Sequence, residues 1–378
     1  MKKTLIAAAI AALSSSAVFA GSVTAYGLLD TSLSFVHSDS DIDAVGKRDN
    51  FTLENGLENG SRWGLRGRED LGNGLQLGFN LESGIESDTG AFDAKQGGRL
   101  FGREALISVG GDFGKFWFGR MHILGSVLGE NGLFRAIDPI IANYTSAIGS
   151  GYATASNWTR VDNAISYRTP TFAGLTAYAL YSFKMDGQHE GDEGHDTTDR
   201  YASVALRYKV ESLEAVMIAD TQLYGLKDSA VRDNRVDDGV TVTIGGNYTF
   251  DNQLKLITFA QYFEDQVLIP RAGVALDALM TLTRGKGYGF VTGFGTSLGM
   301  NYPVGKGVAK MSVNYRDMHN SNEVDFTRWT LAASYDLPIT KRTSLYALSG
   351  YSEEKIETLA AKATPSGYQF AFGMIHKF

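Results

Sequence analysis

Polar and apolar residues alternate with a period of two along much of this chain. Between residues 240 and 250 the even positions carry Val, Ile, Gly, Tyr or Phe, and the odd positions carry Thr, Gly or Asn. The same alternation recurs at residues 75–85 and 328–335. Successive strand side chains point to opposite faces, so these segments are predicted to be β-strands with one apolar face. A soluble β-sandwich and a transmembrane barrel both fit this pattern.

The lengths of the connections distinguish the two folds. Short polar turns are predicted at residues 70–74, 110–114, 169–174, 251–253, 303–307 and 337–342. Long connections lie between them, at residues 37–60, 86–99, 121–159, 184–200, 224–239 and 264–287. Outer-membrane barrels combine short periplasmic turns with long extracellular loops. The sequence therefore predicts an all-β fold, a transmembrane antiparallel barrel of about 16 strands.

Aromatic residues are concentrated near the predicted strand ends. They are expected to form an interfacial girdle on the lipid side of the barrel. The residues assigned to this girdle are Phe113, Phe116, Trp117, Tyr302, Tyr335 and Tyr346.

The first twenty residues have the organisation of a secretory signal peptide. Lys2 and Lys3 precede an apolar run at residues 5–13, and residues 18–20 form a small-residue cleavage site. We expect residues 1–20 to be removed and residues 21–378 to form one barrel domain, exported to the cell outer membrane. After residue 20, hydropathy provides no segment long enough for a membrane helix.

Composition excludes several other classes of protein. The chain has no cysteine, which rules out a disulfide scaffold and cysteine-ligated metals. Its formal net charge of −7 argues against a nucleic-acid partner. No cofactor motif is present. The acidic loop at residues 189–196 contains His189 and His195 and could hold a divalent cation, but its spacing matches no metal motif and favours a solvated loop.

Several motifs point to a known family. The chain ends in an aromatic strand, residues 370–378, and it contains stretches at residues 61–75, 111–120, 160–174 and 341–347. In these it resembles the trimeric general diffusion porins of the β-proteobacterial and neisserial type. The resemblance implies a homotrimer in outer-membrane lipid and lipopolysaccharide, a third loop folded into the lumen, and a water-filled channel for ions and small hydrophilic solutes. It also implies that Phe378 is read by the barrel assembly machinery. Ile140 stands where the family usually has an aromatic residue.

Strand parity predicts which charges face the lumen. If Trp63 and Leu65 face lipid, the arginines that alternate with them face inward, and the same argument applies around Ile165. A charge facing lipid at the midplane would cost about 2 to 4 kcal/mol. The predicted basic wall consists of Arg62, Arg66, Arg68, Arg160 and Arg168.

The resemblance completes the predicted constriction. It adds Arg120 to the basic wall and places Glu130 and Asp138 of the third loop opposite. Such an arrangement would create a transverse field that sorts solutes. The alternative is that the arginines only pair with Glu69, Glu82 and Asp162 in a polar lumen.

Two other functions are alternatives to a passive channel. A barrel-embedded hydrolase needs a nucleophile and a base held together, and the serines and six histidines of this chain are scattered. A structural or adhesive barrel requires neither a long third loop nor a basic wall. The sequence therefore favours the channel and argues against an enzyme.

Overall fold

The structure is a computed structural model that describes residues 22–93, 97–142, 145, 147–148, 153–155, 160–189, 191–225, 237–268 and 273–378. The predicted signal peptide lies outside the described residues and stays a prediction. No helix in the described ranges is both long and apolar enough to cross a membrane.

Nearly all of the regular structure is β-strand, as the alternating pattern predicts. Within the described ranges the helical elements are one α-helix, α1 (Leu276–Leu282), and a 3-10 turn at Phe134–Ala136. The strands are β1 Ser22–Asp39, β2 Lys47–Glu54, β3 Arg62–Gly72, β4 Leu75–Gly84, β5 Glu104–Gly111, β6 Gly114–His122, β7 Arg160–Arg168, β8 Leu175–Ser182, β9 Arg200–Val210, β10 Leu213–Leu223, β11 Gly239–Thr249, β12 Lys255–Leu268, β13 Gly289–Val304, β14 Gly307–Asn320, β15 Asp325–Pro338, β16 Thr343–Glu357, β17 Lys362–Ala363 and β18 Ser366–Lys377.

The strands close into an antiparallel barrel. Strands adjacent in sequence pair with each other except β2 with β3 and β17 with β18, and β1 closes the ring by pairing with β18 from Leu28↔Lys377 to Asp39↔Ser366. On its other side β1 pairs with β3 in its first half and with β2 in its second half. Thus β2 and β3 share one position, β17 extends β18, and the barrel has 16 positions. Closure satisfies the backbone hydrogen bonds that an open sheet would expose to lipid.

The predicted alternation sets the two faces of the barrel wall. On β11, Val240 is 40 % exposed and Ile244 60 %, whereas Thr241 is 1 % and Thr243 2 % exposed. The outward face is therefore apolar and the inward face is polar and covered, which confirms the parity prediction.

The third loop, between β6 and β7, lies inside the lumen and follows the wall. Asn247 on β11 donates a hydrogen bond to the Ala136 carbonyl at 2.7 Å, and Gln369 on β18 accepts one from the Ala147 amide at 3.2 Å. The inward fold of this loop, implied by the family resemblance, is confirmed.

Lumen-facing glycines provide the seat for the third loop. A Cβ added at Gly299 would lie 2.3 Å from the Cβ of Pro139, and one at Gly350 would lie 2.5 Å from Cγ1 of Ile148. Both distances are far below van der Waals contact, so these positions require glycine for the loop to approach.

Two features differ from the sequence predictions. Residues 47–54, predicted as part of a long connection, form β2, which extends the wall beside β1. Trp117 and Tyr346, predicted for the lipid-side girdle, are 2 % exposed and point inward. Tyr346 donates a hydrogen bond to Asp30 Oδ1 at 2.7 Å, a polar partner that lipid could not offer.

Candidate pore constriction

A cavity of about 830 Å³ lies inside the barrel beside β1 and β3 to β6, with the third loop on its other side. Three of the predicted wall residues, Arg62, Arg66 and Arg68, line it. They lie on one face of β3 because strand residues two apart point the same way. The parity of β3 thus brings three guanidinium groups to one side of the cavity.

Arg66 and Arg68 are the exposed members of this group. The guanidinium carbon of Arg66 lies 4.9 Å from the ring centroid of Tyr26, within the range of a cation–π contact. No carboxylate among the described residues lies within ion-pair distance of either arginine. Both guanidinium groups therefore line the cavity without an acidic partner among the described residues.

Arg62 is in a different environment. Its Nε lies 3.7 Å from Glu82 Oε2, and Glu82 also accepts a hydrogen bond from Arg103 Nε at 2.6 Å and one from Tyr26 OH at 2.9 Å. The carboxylate is shared between two guanidinium groups. The pairing interpretation therefore describes Arg62, but not Arg66 or Arg68.

Glu130 contacts the basic wall directly instead of facing it across open water. Its carboxylate accepts hydrogen bonds from Lys115 Nζ at 2.8 Å and Trp117 Nε1 at 3.1 Å, and it lies 3.5 Å from Arg168 Nη2. Both cations contact the Trp117 ring, whose centroid lies 4.8 Å from Lys115 Nζ and 5.1 Å from the guanidinium carbon of Arg168. These contacts anchor the third loop to β6 and β7 and leave the group with one excess positive charge.

Lys115 is a wall residue that the sequence analysis omitted. It lines the large cavity and alternates with Phe116 and Phe118 on β6. Because Phe118 is 39 % exposed on the lipid side, the same parity argument that placed the β3 arginines would have placed Lys115 inward.

Asp138 does not occupy the predicted position opposite the arginines. It is 3 % exposed, does not line the large cavity, and accepts a hydrogen bond from the Ile140 amide at 3.2 Å. Its neighbour Pro139 sits on Gly299 of β13, which directs this part of the loop toward the wall. Ile140, 1 % exposed, packs with Leu57 in an apolar cluster.

Arg120 also lies away from the predicted constriction. Its Nε donates to the Gly102 carbonyl at 2.7 Å and its Nη1 binds Asp162, which also pairs with Arg99 at 2.9 Å. The register between β6 and β7 shifts beside Gly119, where Asp162 and Asn163 oppose one residue. This bulge turns Arg120 toward the extracellular loops.

Arg160 and Arg168 lie at opposite ends of β7. Arg160 pairs in register with His122 and does not line the cavity beside β3. Arg168 lines a second cavity of about 470 Å³ at the turns that join β5 to β6 and β7 to β8. The two cavities share Gln76, Gly110 and Lys115, so together they form a path from Arg62 to the turns at that end of the barrel.

Phe378 completes the closure of the barrel. Its amide donates to the Gly27 carbonyl at 3.1 Å, and the Gly27 amide donates to the Phe378 carbonyl at 3.0 Å. The ring lies directly over Gly27, where an added Cβ would be 2.1 Å from a ring carbon. The C-terminal aromatic ring thus packs against β1 in the space that Gly27 leaves by having no side chain.

The acidic loop was a candidate for metal binding. Over the described residues, which omit Glu190, no group of three or more His, Asp or Glu side chains is arranged to hold a metal ion. His195 pairs with Asp196 at 2.6 Å, and both side chains are more than half exposed.

A closed barrel with an apolar outer face and a polar, charged lumen defines a transmembrane channel. Residues 5–357 match the model of the Gram-negative porin family, and the chain belongs to that family. It is 31 % identical over 412 residues to an outer membrane porin protein of Bordetella pertussis, with both chains fully covered. It is 30 % identical over 361 residues to outer membrane porin protein 32 of Delftia acidovorans, covering 94 % of this chain and 90 % of that one. These relatives are channels of the outer membrane and not enzymes, so this chain is an outer-membrane porin.

Solved structures agree with this assignment. The anion-selective porin from Comamonas acidovorans matches with a TM-score of 0.68 and 25 % identity, over 95 % of this chain and 100 % of that chain. The trimer form of OmpT, an outer membrane protein of Vibrio cholerae, matches with a TM-score of 0.63 and 15 % identity, over 95 % of this chain and 100 % of that chain; this likeness concerns the fold alone.

Proposed function

We propose that this porin is a water-filled channel for passive diffusion of ions and small hydrophilic solutes, and that its constriction prefers small anions. The observation that carries the proposal is the pair Arg66 and Arg68, which line the cavity with no acidic partner among the described residues. The relative described as anion-selective supports the same preference.

The buried and paired carboxylates add to this preference. Glu130 is neutralised by Lys115 and Arg168, and Asp138 is turned away from the cavity. The sequence predicted a transverse field between an arginine wall and an acidic loop. We propose instead that positive charge is in excess around the cavity.

A simple estimate gives the size of the effect. One unit charge about 7 Å from a permeating ion in bulk-like water contributes about 0.6 kcal/mol, and two contribute about 1.2 kcal/mol. This corresponds to a preference of several-fold at low salt. The preference falls at physiological ionic strength, where the screening length is about 8 Å.

The test is to replace Arg66 and Arg68 together by Gln and to measure the reversal potential in a potassium chloride gradient across planar bilayers. The control replaces Lys341 and Arg342, which lie in the turn between β15 and β16, by Gln and removes the same charge outside the lumen. Selectivity should shift toward cations in the first variant only, and the shift should fade at high salt. Equal reversal potentials in wild type and the Arg66/Arg68 variant at low salt would refute the proposed role.

We also propose that the chain assembles as a homotrimer. Over the described residues β2 is paired with β1 alone, and its outward residues Phe51 and Leu53 are 71 % and 54 % exposed. An unpaired strand edge is costly in lipid, so cover by a second copy would stabilise it. The test is the mass of the protein particle solubilised in detergent. A mass of three chains is expected, and a monomer would contradict the proposed trimer.

Signal-directed export, contact with lipopolysaccharide and recognition of Phe378 by the barrel assembly machinery stay predictions from the sequence. The contact between the Phe378 ring and Gly27 supports a structural role for Phe378 in closing the barrel, besides any role in recognition by the assembly machinery.

A further inference from the structure

The inward face of β12 to β16 is apolar at one end of these strands. Five lumen-facing side chains there are at most 1 % exposed: Phe263, Val291, Met318, Phe326 and Ile356. Large apolar residues on the water side of a porin wall would be unfavourable if they were wet. Something must therefore cover them.

The cover is the segment that contains α1, between β12 and β13. Ala278 and Leu279 of α1 are 0 % and 1 % exposed and belong to the same apolar cluster as the five wall residues. Leu282 packs against this cluster, and Ala155 of the third loop belongs to it. One face of this short helix thus fills the lumen side of the wall.

The same segment continues around the barrel mouth to the strands that follow β16. Val274, just before α1, packs at Gly367 of β18, where an added Cβ would lie 2.6 Å from Cγ1 of Val274. Asp277 lies 3.3 Å from Arg48 of β2. Residues 273–288 therefore extend from the β12–β16 wall to β18 and β2.

A buried polar network fixes the end of the segment that leads into β13. Tyr288 OH donates to Glu354 Oε2 at 2.7 Å, and its carbonyl accepts a hydrogen bond from Asn320 Nδ2 at 2.9 Å. Glu354 also pairs with Arg316 at 2.6 Å and with Arg328 at 3.7 Å. The three charged side chains are at most 3 % exposed, so this sector of the lumen is not a path for water.

We propose that residues 273–288 are a built-in plug that closes one end of the β12–β16 sector, beyond the part of the same wall that the third loop covers, so that solutes enter along the β3–β9 side. This inference rests on the proposed channel function. The plug is a fixed part of the pore, because leaving its seat would expose the apolar cluster and the buried charges to water.

The direct test removes the plug. Leu268 and Gly289 are register partners on adjacent strands, so a two-residue Asn–Gly turn can replace residues 269–288 and close the hairpin. Removing the segment widens the entrance over this sector, so the single-channel conductance should rise above the wild-type value. Trisaccharides and tetrasaccharides should also enter liposomes faster.

A point variant tests the same inference in case the turn variant does not fold. Leu279→Asp places a carboxylate in the apolar cluster and should produce intermittent wider openings, whereas Met280→Asp on the same helix, where Met280 is 38 % exposed, should behave like wild type. Because the chain has no cysteine, Arg48→Cys and Asp277→Cys can be joined by a bismaleimide. In the Leu279→Asp background this cross-link should restore the wild-type conductance.

The outcomes separate this inference from the channel proposal. If wild type forms no pores, the channel proposal fails. If wild type conducts while the folded turn variant and Leu279→Asp keep wild-type conductance and sugar exclusion, the plug is overturned.

Discussion

The contact between the third loop and Gly350 gives the most quantitative prediction. Gly350 lies on the lumen face of β16, and a Cβ added there would lie 2.5 Å from Cγ1 of Ile148, 3.0 Å from the Ala147 carbonyl oxygen and 3.2 Å from the Leu331 carbonyl oxygen. Carbon atoms need about 3.5 Å, so Gly350→Ala must move this part of the loop into the lumen by roughly 1 Å. Overpacking of this kind costs about 1–3 kcal/mol.

We expect Gly350→Ala to lower single-channel conductance and to lower the temperature at which the folded barrel unfolds in detergent. Ala347→Val is the matched control, because it adds bulk on the lipid face of the same strand, where Ala347 is exposed.

A double variant makes the test specific to the loop. Ile148→Ala removes the side chain that collides, so its effect and that of Gly350→Ala should be non-additive, with conductance recovering in the double variant. Additive effects, or wild-type conductance in Gly350→Ala, would refute the argument that Ile148 and Gly350 fix the loop position.

Three further predictions concern the ion pairs and the chain end. Glu130→Gln frees Lys115 and Arg168, so reversal potentials should show stronger anion preference; a shift toward cations would contradict the pairing. Asp186, in the loop between β8 and β9, pairs with Arg99, in the loop between β4 and β5. Burial alone would raise the pKa of Asp186, but the Gln188 amide and Arg99 outweigh burial and lower that pKa. The ion pair is therefore complete above the ordinary aspartate pKa and is lost as pH falls through the lower folded value. The protection of the amides in residues 183–199, expressed relative to the intrinsic exchange rate at each pH, should therefore fall at acidic pH, and Asp186→Asn should show lowered protection already at pH 7. Equal protection at both pH values in wild type would argue against it. Deleting Phe378 should reduce assembled barrel in the outer membrane while secretion continues, and normal amounts of heat-modifiable trimer would disprove this.

Strand parity predicted the barrel and the inward arginines of β3 because a period of two fixes the face of each residue in a regular strand. Arg120 was assigned to the constriction by the family resemblance and not by parity. In the structure the bulge opposite Asn163, a residue with a φ of 48°, turns Arg120 toward Asp162 instead. No local pattern marks that bulge.

Aromatic residues near strand ends were a second source of error. Trp117 and Tyr346 point inward because polar partners exist there, Glu130 for the indole and Asp30 for the phenol. Both partners are distant in sequence, so only the folded third loop and the barrel closure bring them together. The burial of Asp138 likewise depends on the seat at Gly299.

The plug was beyond sequence reasoning for a related reason. The apolar residues at the ends of β12 to β16 look like ordinary strand residues, and the loop at residues 264–287 was predicted only as a long connection. Its role appears when Leu279 and Ala278 meet Phe263 and Phe326 across the lumen.

The reversal potential of the wild-type channel in a tenfold potassium chloride gradient tests the central claim most directly. Arg66 and Arg68 have no acidic partner in the part of the chain that the structure describes, and Glu130 is neutralised by Lys115. We therefore predict a potential of the sign that marks chloride as more permeant than potassium, several-fold at low salt and less at high salt. A potential of the opposite sign, or one near zero at low salt, would contradict the account.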